Sequence, residues 1–525
     1  MRKALEAKAV AAAALMLMLG AAGPAFQADL VLKGGTIYDG SGRAAYVGDV
    51  AITGDRITYV GRSAKIRARR SIDVRGLIVA PGFIDPHTHA DITASDPARR
   101  RLNEWLAQGV TTIVTGNDGY GSHDIAGQTR TLTDRPIGPN LASYVGFGSV
   151  RTAVLGEGDV TPDAAQLARM QALAAKGMCD GALGLSAGLF YAPQKFAKTE
   201  EVIAVAREAA KRGGIYDTHQ RDESSYGIGL LASVEEALEI GRKAGLPVHF
   251  AHLKALGIDV QGQAPAVIAR IAAARAAGQQ VTADQYPYAA GFTGLTAALL
   301  PPWAQDGGLF AIKARIADPA QRERLRTDMR ENLRRRGGAG ALLLADPGRP
   351  WSGKRLDAVA AQWKLDPIDA ALRLILEEPS DIGVVSFMMI EPDIEAIMRQ
   401  PWVVTGSDGA AGHPRITGTF PHKYARYVVE RKTISLGAFI RQSTGRTADL
   451  LKLDRRGYLR AGWYADVVVF DPHRYAPRSD YGRPGELATG VYTLLVNGQV
   501  VIDGGKLGAT LPGRVLRRTS VANCP

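Results

Sequence analysis

His87-Thr88-His89 sets two imidazoles one residue apart at the end of an apolar run, 76–86. In an extended strand, residues i and i+2 face the same side, so both rings would leave the strand end together and supply half of a metal site. Taken alone, such a pair is as readily two polar residues of a turn. Its partners downstream decide. Asp118, His219, His252 and Asp408 each close another apolar run. Four imidazoles and two carboxylates at matching strand ends suit one or two Zn²⁺ ions and metal-assisted hydrolysis.

The elements that must position these groups follow a rhythm. Apolar runs at 112–118, 144–147, 181–186, 215–219, 248–252, 281–284 and 403–408 join the His-x-His strand to make eight, with helical patterns between them, as at 164–175 and 202–211. Asp118 follows His89 by 29 residues, His252 follows His219 by 33, and Asp284 follows His252 by 32. Such spacing predicts an α/β fold, a (β/α)₈ TIM-type barrel with its site at the C-terminal ends of the strands. The step from Asp284 to Asp408 is 124 residues. An inserted segment, 296–375, is expected there, with an Arg-rich helix over 321–337, and it would cap the site as a lid. Short strands and tight turns, with Gly54-Asp55 as a hairpin turn, mark both chain ends. Residues 29–80 and 458–525 are expected to build one small β-sandwich domain beside a barrel over 81–457.

The gross composition bounds the class. The chain has 525 residues, 46% apolar and 22% charged, which suits a globular enzyme. Its net charge of +12 is scattered over presumed helix faces, with no basic–aromatic interleaving. That excludes a nucleic-acid binder and leaves mild steering of a small anionic substrate. Residues 1–28 read as an export signal: Arg2 and Lys3, an apolar stretch over 9–22, and small residues near Ala25 or Ala28. A periplasmic or secreted location is expected, without stable membrane insertion once the signal is removed. The two cysteines, Cys179 and Cys524, can form neither a disulfide framework nor a thiolate zinc site. Cys179 is expected as a small buried hydrophobe and Cys524 as an inert tail residue.

Longer segments carry a resemblance. They are Gly82-Phe83-Ile84-Asp85-Pro86-His87-Thr88-His89, the stretch 184–193 with Ser186-Ala187-Gly188-Leu189-Phe190-Tyr191-Ala192-Pro193, Thr218-His219-Gln220-Arg221-Asp222-Glu223, His252-Leu253-Lys254, Asp284-Gln285-Tyr286-Pro287-Tyr288, Gly406-Ser407-Asp408-Gly409, His413-Pro414-Arg415 and Gly462-Trp463-Tyr464-Ala465-Asp466. Over residues 29–513 the chain resembles the amidohydrolase superfamily and, within it, the N-acyl-D-amino-acid deacylases. The resemblance implies that His219 and His252 hold the tighter zinc and that His87 and His89 hold a weaker second position. It implies Asp408 as general base and metal contact. Lys254, Tyr191 and a tyrosine of the pair Tyr286 and Tyr288 would grip the substrate carboxylate. Arg221 and Glu223 would support the site as an ion pair or touch substrate, and Arg415 would bind an anion or brace its loop. The implied activity is hydrolysis of the amide of an N-acyl-D-amino acid.

Two departures from that family's pattern stand out. Asp118 occupies the place of a metal-contacting cysteine, and a carboxylate can also bridge two zinc ions, although oxygen is a harder ligand than sulfur. Phe147 replaces a histidine four residues before Arg151. Two other readings compete. A dipeptidase or cyclic-amide hydrolase on the same barrel is one, although many cyclic-amide members carry a carbamylated lysine on the fourth strand, where this chain has Ser186. A non-catalytic exported binding protein is the other, against which stands the full set of four His and Asp408.

Overall fold

The structure is a computed structural model, and it describes residues 26–62, 65–518 and 521–524. Most of the expected export signal therefore lies outside the described residues; its last three, 26–28, already belong to the first strand.

Five strands come first among the described residues: β1 (Phe26–Ile37), β2 (Tyr46–Thr53), β3 (Arg56–Gly61), β4 (Ile66–Asp73) and β5 (Ile78–Pro81). The next is β6 (Phe83–Asp85). The apolar run before His87 is thus two strands, not one. Gly82 is the joint: its N–H donates to the Asp466 carbonyl at 2.9 Å, and a Cβ there would meet the Thr111 side chain at 2.2 Å. β5 stays with the terminal sheet, and β6 turns into the ring that carries the site.

That ring continues through β7 (Val110–Thr115), β8 (Asn140–Ser143), β9 (Val145–Gly146), β10 (Gly184–Gly188), β11 (Ile215–His219), β12 (Val248–Phe250) and β13 (Val281–Gln285). After three strands of an insert, β14 (Ala290–Gly294), β15 (Leu342–Leu344) and β16 (Gly383–Phe387), it resumes at β17 (Val403–Thr405). Parallel ladders join β6-β7-β8 and β9-β10-β11-β12-β13-β17. Only Tyr144 separates β8 from β9, and a parallel bridge between Thr88 and Gly409 links the exits of β6 and β17. The hydrogen bonds thus run round eight parallel segments in a closed cycle, the (β/α)₈ order that the spacing predicts. Helices such as Ala164–Cys179, Thr199–Lys211, Leu230–Ala244 and Ala264–Ala276 pack outside it, their apolar stripes buried with Leu185, Tyr216, Val248 and Val281.

The last strands are β18 (Val467–Phe470), β19 (Val491–Val496), β20 (Gln499–Asp503) and β21 (Lys506–Leu507). They join β1–β5 in one nine-stranded sheet, with β5 between β1 and β18. Its two wings enclose a shared core of Leu32, Val50, Ile57, Val79, Val467 and Leu495. Alternate residues of the central strands, Ile78, Ala80, Val468, Phe470 and Leu494, point the other way and pack on Phe83, Trp105, Phe420 and Phe439 of the ring. Period-two alternation with both faces apolar is what lets one sheet close its own domain and dock on a second.

The insert is wider than the expected 296–375. Its end strands pair, Gly294 with Gly383, so the unit runs from β14 to β16. It has its own core of Leu299, Leu325, Met329, Trp351, Leu356 and Leu374 around helices Pro319–Arg335, Leu356–Trp363 and Pro367–Glu377. The cysteines depart from expectation too. Cys179 and Cys524 form a disulfide across 345 residues and tie the C-terminal tail to the end of helix Ala164–Cys179. Distance in sequence hid a pair that the tail's return path across the ring brings together.

Candidate metal centre

His219 ends β11, and the other predicted ligands lie just past their strand ends, three of them on backbone out of extended geometry. Asp118, His252 and Asp408 all take positive φ, at +56°, +34° and +48°. Non-glycine residues adopt this region at a cost, and such residues cluster at functional sites. His87 and His89 also lie beyond β6 rather than in it, yet they still converge. Backbone bonds from Asp408 N–H to the His87 carbonyl (2.8 Å) and from His89 N–H to the Gly409 carbonyl (3.1 Å) clamp the exits of β6 and β17 together.

Asp118 stands in the middle. Its Oδ1 lies 3.5 Å from His87 Nε2, 3.5 Å from His252 Nε2 and 3.9 Å from His219 Nδ1, and its Oδ2 lies 3.5 Å from His89 Nε2. Asp408 Oδ1 is 3.2 Å from His89 Nε2 and 3.5 Å from His87 Nε2. Two overlapping ligand sets result: His87, His89, Asp118 and Asp408, and Asp118, His219 and His252. Asp118 is common to both, as a bridging carboxylate would be. His87 Nε2, His219 Nδ1 and Asp118 Oδ1 are buried without hydrogen-bond partners. Buried polar atoms of native proteins are nearly always satisfied, so orphans aimed at one small space fit one or two dications.

The electrostatics are those of carboxylates and imidazoles crowded into one buried space. Burial opposes charge on Asp118, but His87, His252 and His89 hold its carboxyl well below the usual range. Burial would lower His87 and His89; instead Asp118, with Asp284 and Asp408 respectively, raises His87 well above its ordinary value and His89 to about 9. Burial pushes His219 down to about 3 and keeps it neutral, the form that ligates. Arg415 and the neighbouring imidazoles hold Asp408 far down against burial.

Residues behind the ligands complete the arrangement. Glu223 Oε1 is 3.2 Å from His252 Nδ1, and its Oε2 is 3.7 Å from His219 Nε2. Asp284 accepts from the His252 N–H (3.0 Å) and faces His87 Nδ1 at 3.7 Å and His249 Nε2 at 3.0 Å. Carboxylates on the rear nitrogens fix which nitrogen points forward. Asp284 ends an apolar run in the sequence, and Glu223 is expected there as support paired with Arg221 or as a substrate contact; the structure sets both behind the ligating residues. His249 and Asp217 lie inside β12 and β11, where period-two inward pointing was the available signal. With His87 and Asp284, Asp217 forms a buried cluster beneath the centre, and burial raises its pKa to about 6.

The expected substrate-contacting residues divide. Tyr191, Lys254 and Tyr286 line one cleft together with His219, His252 and Asp408. Tyr288 does not line that cleft; its ring stacks on His422 at 4.6 Å because the turn after β13 reverses its direction relative to Tyr286. Lys254 is already engaged: Nζ lies 2.8 Å from Glu223 Oε1 and donates to the His252 carbonyl at 3.1 Å. Arg415, 1% exposed, pairs with Asp408 Oδ2 at 2.7 Å and lies over the Tyr286 ring. It braces the carboxylate rather than reaching the cleft. Arg221 pairs with Glu236, not with Glu223, because the two diverge from the end of β11. Phe147 is buried in the ring's outer core, and Arg151 beside it pairs with Glu201 at 3.1 Å, so neither faces the centre.

Comparison with known proteins converges on one group. A model of the amidohydrolase family matches residues 70–502. The D-aminoacylase of Alcaligenes xylosoxydans xylosoxydans is 34% identical over 94% of this chain and 98% of its own. A D-aminoacylase structure described for its binuclear metal centre superposes with a TM-score of 0.80 at 32% identity, covering 93% of this chain and all of that one. The N-acyl-D-glutamate deacylase of Bordetella bronchiseptica, complexed with zinc and a phosphonate inhibitor that mimics the tetrahedral intermediate, gives 0.79 at 30% identity over 94% of this chain and all of that one.

Proposed function

The chain belongs to the amidohydrolase family, and from that premise we propose that it hydrolyses the amide bond of N-acyl-D-amino acids to a carboxylate and a free D-amino acid. The observation that carries the reading is Asp118 shared between two ligand sets whose remaining donors are imidazoles and Asp408. Relatives that act on acylated D-amino acids match the chain nearly end to end, which supports the substrate class.

His219 and His252 with Asp118 would hold one Zn²⁺, and His87, His89 and Asp408 with Asp118 a second. When bound, the metal supplies Lewis acidity toward the amide carbonyl and brings the pKa of water near 7. Asp408 acts as general base. Its Oδ2 is held by Arg415, which leaves Oδ1 turned toward the histidines to accept the proton of the attacking water. The same carboxyl then returns that proton to the leaving amine. Lys254, Tyr191 and Tyr286 line the cleft where the substrate carboxylate would sit. Ser186, at the fourth-strand position, donates to the Gly116 carbonyl and accepts from Gly119 N–H, a structural role.

The described residues hold no helix long and apolar enough to cross a membrane. We further propose an exported protein, because the Cys179–Cys524 disulfide suits an oxidising compartment and agrees with the basic, apolar N-terminus. The deciding experiment is zinc analysis together with hydrolysis of matched N-acetyl D- and L-amino acids and dipeptides. Turnover confined to L-substrates or to dipeptides, or full turnover after metal removal, refutes the assignment.

A further inference from the structure

Besides His219, His252 and Asp408, the same cleft is lined by Tyr226, Leu256, Met388 and Arg336. Arg336 caps the C-terminus of helix Pro319–Arg335 in the insert and is 1% exposed. Its Nε donates to the Ala298 carbonyl at 3.0 Å and its Nη1 to Ser386 Oγ at 3.0 Å, which fixes the guanidinium in place. Nη2 has no partner. Tyr226 Oη is likewise buried and unpartnered, and the Tyr226 ring lies 5.4 Å from the guanidinium carbon.

Charge separates Arg336 from the other cations nearby. Lys254 is neutralised by Glu223 and Arg415 by Asp408. No carboxylate among the described residues forms an ion pair with Arg336. A buried cation without a counter-ion is costly, and a planar fork with a free N–H is the group best shaped for a carboxylate. The counter-ion is therefore expected to arrive with the ligand. The α-carboxylate of an acylated amino acid lies within two bonds of the scissile nitrogen, so it must stay at the metal end, near Lys254. A carboxylate that reaches Arg336 instead is assigned to the side chain, with Leu256 and Met388 lining the cleft beside its methylenes.

We propose that Arg336, with Tyr226, reads the substrate side chain, and that the preferred substrates are N-acyl-D-amino acids with an acidic side chain. This rests on the deacylase reading above and narrows it. The test compares N-acetyl-D-glutamate and N-acetyl-D-aspartate with N-acetyl-D-glutamine, which matches glutamate in shape but not in charge, and with N-acetyl-D-leucine. The zinc-loaded wild type should favour the better acidic substrate over glutamine by at least about tenfold in kcat/KM, the range of a charged hydrogen bond. Arg336→Met should bring that ratio close to one, mainly through KM, and Tyr226→Phe should reduce it in part. Should Arg336→Met fail to fold, the wild-type ratio and Tyr226→Phe carry the test. Hydrolysis of glutamine or leucine derivatives as well as the acidic ones, or an acidic preference that survives Arg336→Met, overturns this inference alone. Absence of turnover on every N-acetyl-D-amino acid overturns the deacylase reading and this inference with it.

Discussion

Glu223→Gln probes the part of the site that holds the ligands from behind. The carboxylate is 2% exposed; its Oε1 contacts Lys254 Nζ at 2.8 Å and His252 Nδ1 at 3.2 Å, and its Oε2 faces His219 Nε2. Burial opposes its charge, but Lys254, His219 and His252 win and bring its pKa down to about 2 from 4.5. A carboxyl whose folded pKa is depressed stabilises the protein above its unfolded pKa and loses that contribution as pH falls through the folded value. The window is therefore about pH 4.5 down to about 2, and the shift corresponds to roughly 3 kcal/mol at neutral pH. An amide keeps the shape but leaves the Lys254 ammonium buried and unpaired, a loss on the order of 3–5 kcal/mol. It also removes the acceptor that keeps the forward nitrogens of His219 and His252 free, worth roughly 10–100-fold in zinc affinity. Denaturant unfolding of metal-free wild type and variant at pH 7 and pH 3 reads the first effect, and zinc competition against a chromophoric chelator reads the second. The variant should lose several kcal/mol at pH 7 and less at pH 3, where only about 1.4 kcal/mol of the carboxylate's contribution remains, while Lys254→Met in the same chain should restore part of the loss. Equal stability at pH 7 with unchanged zinc affinity would refute the reasoning, because it would mean that neither Lys254 nor the histidine pair depends on this carboxylate.

Asp408→Asn should retain zinc and lower kcat by roughly 10²–10⁴-fold; an unaltered kcat would assign the base elsewhere. If Asp118 bridges the centre, Asp118→Asn should cut both zinc per chain and rate, whereas Asp118→Cys should keep zinc bound because a thiolate also suits that ion; full occupancy and rate in Asp118→Asn would reduce Asp118 to a turn residue. Cys179→Ser should lower the melting temperature of oxidised protein, by up to about 2–5 kcal/mol of stability, and wild type in reductant should match it; identical melts with and without reductant would show that the tail adds nothing.

What the chain's own order determined was periodic or local. The recurrence of apolar runs and their polar ends was enough to place His87, His89, Asp118, His219, His252 and Asp408 around one mouth, because strand alternation and barrel topology turn spacing directly into position. The same local logic assigned both chain ends to β structure, since hairpins such as Thr53–Arg56 are specified by neighbouring residues. Everything that depends on two distant segments meeting was left to the tertiary structure. Where the apolar run passes from β5 to β6, Gly82 leaves the room that the Thr111 side chain of neighbouring β7 takes up. Tyr286 enters the cleft while Tyr288, two residues on, packs against His422, since the chain leaves the strand between them and period two no longer holds. Arg221 finds Glu236, Lys254 finds Glu223, and Cys179 finds Cys524 across 345 residues. Side-chain pairing of this kind is fixed by direction and burial in three dimensions, and residue types along one chain carry no record of either.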